Sequence, residues 1–264
     1  MSGSATRRIG RRLFLMQVGR GVLGFAVFGL AACSSEGGAG DASSPGRSTT
    51  APESPTASGT ASSPSADAAA LAWSRVDLGF VSAYVLVRGG EAAVVDTGVG
   101  GSADQIGAVL DEAGPGWSGV RHVVLTHKHP DHVGSLGDVA GRAAGATLYA
   151  AAPDLGEIEA PRRLREVADG DDVFGLRVVA SPGHTAGHIA VYDADAGVLV
   201  AGDALNNTDG LAGSNPQFTE DETAAASSVR KLAGLKPRVI LVGHGPPVDR
   251  SAATQLQRLA SSLG

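Results

Sequence analysis

The feature that most constrains the fold is a cluster of histidines and an aspartate directly after an apolar segment. Four of the seven histidines lie within eleven residues, as His122 and then His127-Lys128-His129-Pro130-Asp131-His132. The apolar run 120–126 before them predicts a strand. A loop at a strand end that carries three imidazoles and a carboxylate turns several lone pairs toward one point, which suits borderline divalent cations. This loop therefore predicts a metal site.

Three more side chains of the ligand type follow apolar runs elsewhere in the chain. His184 comes shortly after the run 176–180, Asp203 after 198–201 and His244 after 239–242. A glycine stands beside each of them, which lets the backbone pack closely. Because a rigid metal site needs well-anchored ligands, we expect these strand ends to meet the histidine cluster.

The remaining pattern predicts an α/β chain over residues 71–264. Strands are predicted at 81–88, 91–95, 120–126, 146–150, 176–180, 190–193, 198–201 and 239–242. Helices are predicted at 102–113, 219–232 and 251–263, the first two with the capping boxes Ser102/Gln105 and Thr219/Glu222. Hairpins and crossovers occur in mixed order, so the pattern favours a layered sandwich over a regular parallel sheet.

Charge and composition narrow the classes of partner. Residues 71–264 carry 15 basic and 23 acidic side chains, and aromatic residues make up 4% of the chain. A nucleic-acid binder needs a basic stripe and aromatic stacking platforms. We therefore expect no nucleic-acid partner. Dimers and small anionic substrates remain possible, because local fields can oppose the net charge. The oligomeric state cannot be predicted.

The ligand-type residues resemble a known family. His127-x-His129-x-Asp131-His132, followed in order by His184, Asp203 and His244, is similar to the motif set of the metallo-β-lactamase-fold hydrolase superfamily. Asp96, in Val95-Asp96-Thr97-Gly98, matches the first, structural motif of that superfamily. The resemblance covers essentially all of residues 71–264 and implies a four-layer αβ/βα sandwich.

The resemblance also implies a coordination scheme with two metal ions, zinc first, with iron or manganese as other options. His127, His129 and His184 would hold the first metal, and Asp131, His132 and His244 the second. Asp203 would bridge both, together with a hydroxide that attacks the substrate carbonyl. Asp131 or Asp203 would shuttle the proton and are the candidate catalytic residues.

The implied activity is hydrolysis of an ester, thioester or lactone bond in a small-molecule substrate. The bridging Asp203 is more similar to glyoxalase II-type thioesterases and acyl homoserine lactonases than to true β-lactamases, which usually have Cys or Ser there. Members of the superfamily with a redox-active di-iron site carry an acidic residue where this chain has His129, so the resemblance favours zinc-dependent hydrolysis over oxygen reduction. The alternatives are β-lactam hydrolysis, mononuclear-iron oxidation of sulfur or persulfide, and metal-dependent binding without catalysis.

Several further residues have open roles. His122 is expected to be structural, and His188 to hydrogen-bond a metal ligand rather than bind metal. For Asp96 we favour a role in fixing its turn over contact with a metal ligand. The segment 204–218 is either a substrate lid or an ordinary connection. The arginines of the segment 151–166 would either meet a substrate carboxylate or form a solvated face.

The first 70 residues differ in composition from the rest. Residues 1–33 resemble a twin-arginine export signal that ends in a lipobox, Leu30-Ala31-Ala32-Cys33. An uncleaved membrane anchor is the alternative. Residues 34–70 contain five charged residues, and the others are all Ser, Ala, Gly, Thr or Pro, which predicts a disordered linker. We expect an exported, cell-surface lipoprotein attached to the membrane only through a lipidated Cys33.

Overall fold

The apolar runs of the sequence form two β-sheets. The computed structural model describes residues 70–263. The export signal expected at 1–33, and all of the linker expected at 34–70 except its last residue, lie outside the described residues. Within the described range, no helix has the length and apolarity that crossing a membrane requires.

The first sheet has six strands in chain order and becomes parallel from its third strand onward. Its strands are β1 (Ala72–Asp77), β2 (Ser82–Arg88), β3 (Glu91–Val95), β4 (Val120–Val124), β5 (Thr147–Ala151) and β6 (Arg165–Val167). The pairs β1–β2 and β2–β3 are antiparallel, and β3 to β6 run parallel. Val95 at the end of β3 lies opposite Val124 at the end of β4, so the residues that follow both strands emerge at one edge of the sheet.

The second half of the chain forms the other sheet and a small hairpin. Its strands are β7 (Asp172–Val173), β8 (Leu176–Ala180), β9 (Ile189–Asp193), β10 (Val198–Gly202), the hairpin pair β11 (Leu205–Asn206) and β12 (Ala212–Gly213), and β13 (Val239–Val242). The sheet order is β13-β10-β9-β8-β7, in which β13, β10 and β8 point the same way. Their carboxyl ends therefore also emerge together.

Six α-helices and two short 3-10 helices (Trp117–Gly119 and Pro216–Phe218) complete the described part. The α-helices are α1 (Ala103–Ala113), α2 (Pro130–Val133), α3 (Leu136–Arg142), α4 (Ala152–Leu155), α5 (Glu222–Ala233) and α6 (Ala252–Ser262). α1 and α3 pack on the outer face of the first sheet, and α5 and α6 on the outer face of the second.

Alternation along the strands builds the layers. Val85 of β2 packs with Ile106 of α1, while the next residue, Leu86, faces Val191 of the second sheet. Leu199 of the second sheet packs with α5 and α6. Each such fully buried aliphatic side chain stabilises the fold by roughly 1.5–3 kcal/mol. The order helix, sheet, sheet, helix confirms the α/β sandwich.

Both predicted capping boxes are wrong. Ser102 precedes α1 as expected, but its backbone is helical (φ −78°, ψ −8°) and its hydroxyl donates to the Val99 carbonyl at 2.7 Å. Asp221, not Thr219, caps α5 by accepting the Ala224 N–H at 2.9 Å.

The predicted strand limits differ from those of the structure by at most two residues, and most of the strands at the sheet edges were not predicted. β4 ends at Val124 rather than at Thr126, whose N–H donates to the Asp96 carboxylate at 2.7 Å instead of a neighbouring strand. β1, β6, β7 and the hairpin β11–β12 have no counterpart in the sequence-based prediction.

Candidate metal centre

The loop after β4 presents the histidine cluster because of its local sequence. His129 precedes the short helix α2, and Pro130 occupies the first helical position, where its missing N–H costs nothing. Asp131 and His132 therefore lie in the first turn of α2. His127 and His132 are buried, whereas His129 and Asp131 are partly exposed.

The structure brings all seven predicted ligand residues together. His129 Nδ1 lies 3.1 Å from His127 Nε2 and 2.9 Å from His184 Nε2. These three imidazoles form one group that could hold a metal ion. His184 reaches the group from the loop that follows β8.

A second group lies beside the first. It consists of Asp131, His132 and His244, with Asp131 Oδ2 3.8 Å from His132 Nε2 and 3.4 Å from His244 Nε2. Asp203 lies between the two groups, because its Oδ2 is 3.4 Å from His184 Nε2 and 3.0 Å from His244 Nε2. This is the position that the resemblance implies for a ligand that would bridge two metal ions.

Two unpartnered atoms indicate that these donors fit a cation. Among the described residues, His132 Nε2 and Asp203 Oδ1 are the buried side-chain nitrogen and oxygen atoms without a hydrogen-bond partner. They lie 3.3 Å apart but are not aligned for a hydrogen bond. Such unpartnered polar atoms are costly in a folded protein. A divalent cation with a preference for imidazole and carboxylate ligands would satisfy both.

In four of the candidate ligand histidines, the ring nitrogen Nδ1 lies within hydrogen-bond distance of an oxygen atom, which leaves Nε2 to face the group. Such a contact is usual for histidines that bind metal. The pairs are His127 Nδ1 with Thr126 Oγ1 (3.0 Å), His132 Nδ1 with Asp96 Oδ2 (2.8 Å), His184 Nδ1 with Ser214 Oγ (2.9 Å) and His244 Nδ1 with the Phe80 carbonyl (2.7 Å). These contacts fix the direction in which each ring presents its other nitrogen.

Asp96 does more than fix its turn, contrary to the preferred interpretation. It adopts a left-handed backbone conformation (φ +60°) directly after β3. One carboxylate oxygen accepts the Thr126 N–H at 2.7 Å, and the other accepts from Thr126 Oγ1 and His132 Nδ1, both at 2.8 Å. Asp96 therefore joins the ends of β3 and β4 and orients one of the candidate ligands.

Burial and charge act against each other at the site. Burial lowers the pKa of His127 well below its usual value and that of His184 to about 4. For His132 burial acts in the same direction, but the carboxylates of Asp203 and Asp96 outweigh it and hold the pKa well above its usual value. Burial would raise the pKa of Asp203, yet His132 and His244 keep it well below its usual value.

His188 and His122 behave as expected. His188 Nε2 accepts the backbone N–H of Asp203 at 3.0 Å, and its Nδ1 lies 2.9 Å from Ser181 Oγ. Burial lowers the pKa of His188 to about 3, so this ring is a neutral acceptor. His122 pairs with the Tyr149 hydroxyl at 3.0 Å and belongs to none of the metal-type groups.

Asp154 is a site residue that the sequence reasoning missed. This buried carboxylate, in α4, accepts the Lys128 N–H (3.0 Å), the Thr185 hydroxyl (2.7 Å) and the Gly187 N–H (2.8 Å). It therefore ties the loop of His127 to the loop of His184. Its position just after a strand of the parallel sheet was the available signal.

The arginine segment does not reach the site. Arg162 donates to three backbone carbonyls, at 2.7–3.0 Å, at and just after the end of α3 (Ala140, Ala143 and Ala146). Arg165 lies over the Tyr149 ring, and Arg163 is exposed. None of the three lines the pocket above the metal-type groups.

That pocket has a volume of about 640 Å³ and opens over the ligand residues. His129, Asp131, His184, Asp203 and His244 all contribute to its wall. The segment 204–218 borders it as well, through Asn206, Thr208, Asn215 and Phe218. This connection therefore forms part of the substrate-facing surface.

Comparison with known proteins identifies the class. The family described as the Metallo-beta-lactamase superfamily matches residues 76–244, and the chain belongs to this superfamily. It is 30% identical to the probable metallo-hydrolase YflN of Bacillus subtilis, over 64% of this chain and 83% of that protein. A metallo-beta-lactamase family protein of Thermus thermophilus has the same fold, with a TM-score of 0.59 and 26% identity over 73% of this chain and 78% of that one.

Enzymes with named activities are also similar. The chain is 35% identical to a hydroxyacylglutathione hydrolase of Cereibacter sphaeroides, over 59% of this chain and 58% of that enzyme. The match thus spans less than two thirds of the relative. With the superfamily assignment and the His/Asp groups, these relatives identify the chain as a metal-dependent hydrolase.

Proposed function

We propose that this chain hydrolyses an ester, thioester or lactone bond of a small molecule with the help of two divalent metal ions, zinc being the first choice. The observation that carries the proposal is the position of Asp203, whose carboxylate reaches His184 of one group and His244 of the other. The unpartnered His132 Nε2 and Asp203 Oδ1 support it, since a bound cation would satisfy both atoms.

Each site residue then has a specific task. His127, His129 and His184 would hold one ion, Asp131, His132 and His244 the other, and Asp203 both. When bound, such a pair supplies a hydroxide at neutral pH and polarises a carbonyl oxygen.

We assign proton transfer to one of two carboxylates. Asp131 and Asp203 both line the pocket, and the side chain of Asp131 is 27% exposed against 9% for Asp203. Asp131 is therefore better placed to pass a proton to a leaving group, while Asp203 is confined by its imidazole neighbours.

The relatives support the type of bond. Besides the hydroxyacylglutathione hydrolase, the chain is 29% identical to the thioesterase pkgB of Emericella nidulans, over 46% of that protein. Both names refer to hydrolysis of a thioester or an acyl-thiol compound. Ester and lactone hydrolysis require the same attack on a carbonyl carbon.

Acid release in a pH-stat tests this proposal. The metal-loaded protein is offered esters, lactones, thioesters, β-lactams and phosphoesters, with a chelator-treated sample alongside. We expect chelator-sensitive release from at least one of the first three classes. Asp203→Asn should abolish it, and Asp195→Asn, an exposed control at the far end of the second sheet, should retain it. Release from β-lactams alone, or from none of the substrates, would contradict the proposal.

We further propose that the hydrolase acts outside the cell as a lipoprotein. This proposal is based on the residues before position 70 alone, which lie outside the described range. Cys33→Ser should move the protein from the membrane fraction to the soluble fraction. Retention in the membrane would indicate an uncleaved anchor instead.

A further inference from the structure

The ionisable side chains on the wall of the pocket are all candidate metal ligands. Among the described residues that line it, none is Lys or Arg, and the ionisable ones are Asp131, Asp203 and three candidate ligand histidines. The other lining side chains are neutral. A substrate with a carboxylate away from the scissile bond would therefore find no cationic partner on this wall.

The chain from the segment 204–218 to the first turn of α5 is acidic. Between Asp203 and Arg230 the chain has four acidic residues and no Lys or Arg (Asp209, Glu220, Asp221 and Glu222). All four are exposed, and none of them lines the pocket. Glu220 is paired with Lys128, and Asp221 caps α5. The charge nearest to the pocket in sequence is therefore that of Asp209, which directly follows the lining residue Thr208. A negative charge close to the pocket repels an anionic group on a substrate, and added salt weakens this repulsion.

Lys128 does not supply the missing positive charge, although it follows His127 directly. Its ammonium lies 2.5 Å from Glu157 and 2.9 Å from Glu220, and its side chain is only 15% exposed. The hydrogen bonds to these two carboxylates raise the pKa of the Lys128 ammonium above its usual value. Lys128 is thus already paired inside the protein and does not line the pocket.

Two phenylalanines give the same pocket an apolar surface. Phe80 and Phe218 are the large hydrophobic side chains that the described residues leave exposed, at 63% and 57%, and both line the pocket. Phe80 also stacks on the His244 ring, with centroids 6.2 Å apart. Covering two exposed aromatic rings with an apolar group is favourable, so the pocket suits a hydrocarbon chain.

We infer that the substrate is a neutral ester, lactone or thioester whose apolar acyl chain packs against Phe80 and Phe218. The inference rests on the proposed hydrolase function and narrows it. It separates this chain from its hydroxyacylglutathione hydrolase relatives, because a glutathione thioester carries two carboxylates. The apolar rings favour an apolar acyl chain, and a wall without Lys or Arg, next to the carboxylate of Asp209, disfavours an anionic leaving group.

Two thioesters with the same bond but different charge test the inference. S-hexanoyl-N-acetylcysteamine is neutral, and S-hexanoylglutathione is anionic. We expect kcat/KM for the neutral thioester to be at least about tenfold higher at low ionic strength, a difference of about 1.4 kcal/mol. The ratio should fall as salt is added. An equal or reversed ratio would overturn the inference while leaving the hydrolase function intact.

Charge variants add a matched control. Thr208→Lys introduces a cation at the pocket, and Thr254→Lys introduces the same cation in the first turn of α6, away from the pocket. Only Thr208→Lys should raise kcat/KM for the glutathione thioester, by about fivefold on the same electrostatic grounds. An equal rise in both variants, or none in either, would contradict the assigned border charge.

A third variant and a binding measurement separate the inference from catalysis. Phe218→Ala should raise KM about fivefold for the hexanoyl thioester and little for the acetyl thioester, because only the longer chain covers the ring. By calorimetry, the unreactive thioether N-acetyl-S-hexylcysteamine should bind more tightly than S-hexylglutathione. Tighter binding of the glutathione thioether would overturn the inference whether or not turnover is seen. Hydrolysis of no ester, lactone or thioester would remove it together with the proposed function.

Discussion

Replacement of Asp96 by Asn should weaken metal binding without disturbing the backbone. The left-handed conformation of Asp96 (φ +60°) is tolerated by Asn better than by most other residues. The Asn side-chain oxygen can still accept the Thr126 N–H, and the Thr126 hydroxyl can reverse its role from donor to acceptor. Only the hydrogen bond from His132 Nδ1, at 2.8 Å, has no replacement, because the amide nitrogen is a donor.

The size of the effect follows from the imidazole tautomer. Without an acceptor opposite Nδ1, the His132 ring is free to carry its proton on Nε2, 3.3 Å from Asp203 Oδ1. A protonated Nε2 cannot bind a cation. Loss of a carboxylate that orients a metal-binding histidine typically costs 10–100-fold in metal affinity. We expect a value near the upper end, about 2.7 kcal/mol at 100-fold. His132 belongs to two sets of side chains that could hold a metal ion, one with Asp131 and His244 and a further one with His127 and Asp203.

Competition with a chromogenic chelator measures this loss for zinc at pH 7. Asp193→Asn is the matched control, since Asp193 is equally buried, pairs with Arg88 and ends β9 at the far side of the second sheet. The control should lose stability and keep its zinc affinity. Zinc binding by Asp96→Asn within twofold of the unaltered protein would refute the orienting role of Asp96.

Three other substitutions test the surroundings of the site. Asp154→Asn should lower the free energy of unfolding by about 1–3 kcal/mol and reduce kcat, because it disturbs hydrogen bonds between the two ligand loops; urea denaturation and kinetics would show whether both change. Gly243→Ala should reduce bound metal, measured by elemental analysis, because its Cβ would lie 1.9 Å from Asp203 Oδ1, whereas Gly137→Ala, with open space around the Cβ, should not. His188 has a pKa of about 3 in the folded metal-free protein against about 6.5 unfolded, so its stabilisation is complete above pH 6.5 and is lost as the pH falls toward 3. His188→Gln should therefore flatten the pH dependence of urea stability in that window, by up to about 1.4 kcal/mol per pH unit; an unchanged slope would contradict the burial of a neutral ring.

The strands that carry the candidate ligand residues could be predicted because their signals are local. The runs 120–126, 176–180, 198–201 and 239–242, each followed by a ligand-type residue, identified β4, β8, β10 and β13. The expectation that these strand ends meet came from the rigid anchoring that a metal site needs. The division of the ligands into two groups, and the four-layer arrangement, came from the resemblance.

Residues whose role depends on distant contacts were harder to predict. Asp154 joins residues 26, 31 and 33 positions away. Its position just after β5 was the one local signal, and that position does not reveal these partners. The N-cap of α5 was misplaced because Thr219 and Asp221 are both good capping residues. The backbone N–H of Asp221 donates to the Gly183 carbonyl at 2.9 Å, a tertiary contact that helps to position the start of the helix. β1, with its mixed polarity, lies at a sheet edge where alternation gives little signal.

The division of the site between the two sheets links metal binding to folding. The first sheet supplies Asp96 and the histidine cluster, and the second supplies His184, Asp203 and His244. Every group of side chains that could hold a metal ion therefore takes residues from both sheets. Backbone hydrogen bonds join the sheets at this edge, from Ile189 N–H to the Thr126 carbonyl (2.8 Å) and from Ser82 N–H to the Gly243 carbonyl (2.8 Å). Cations that bind this arrangement and not the unfolded chain must stabilise the packing of one sheet on the other. We expect substrate selection to depend on the exposed border of the pocket, where the side chains of Phe80 and Phe218 can change with little effect on either sheet.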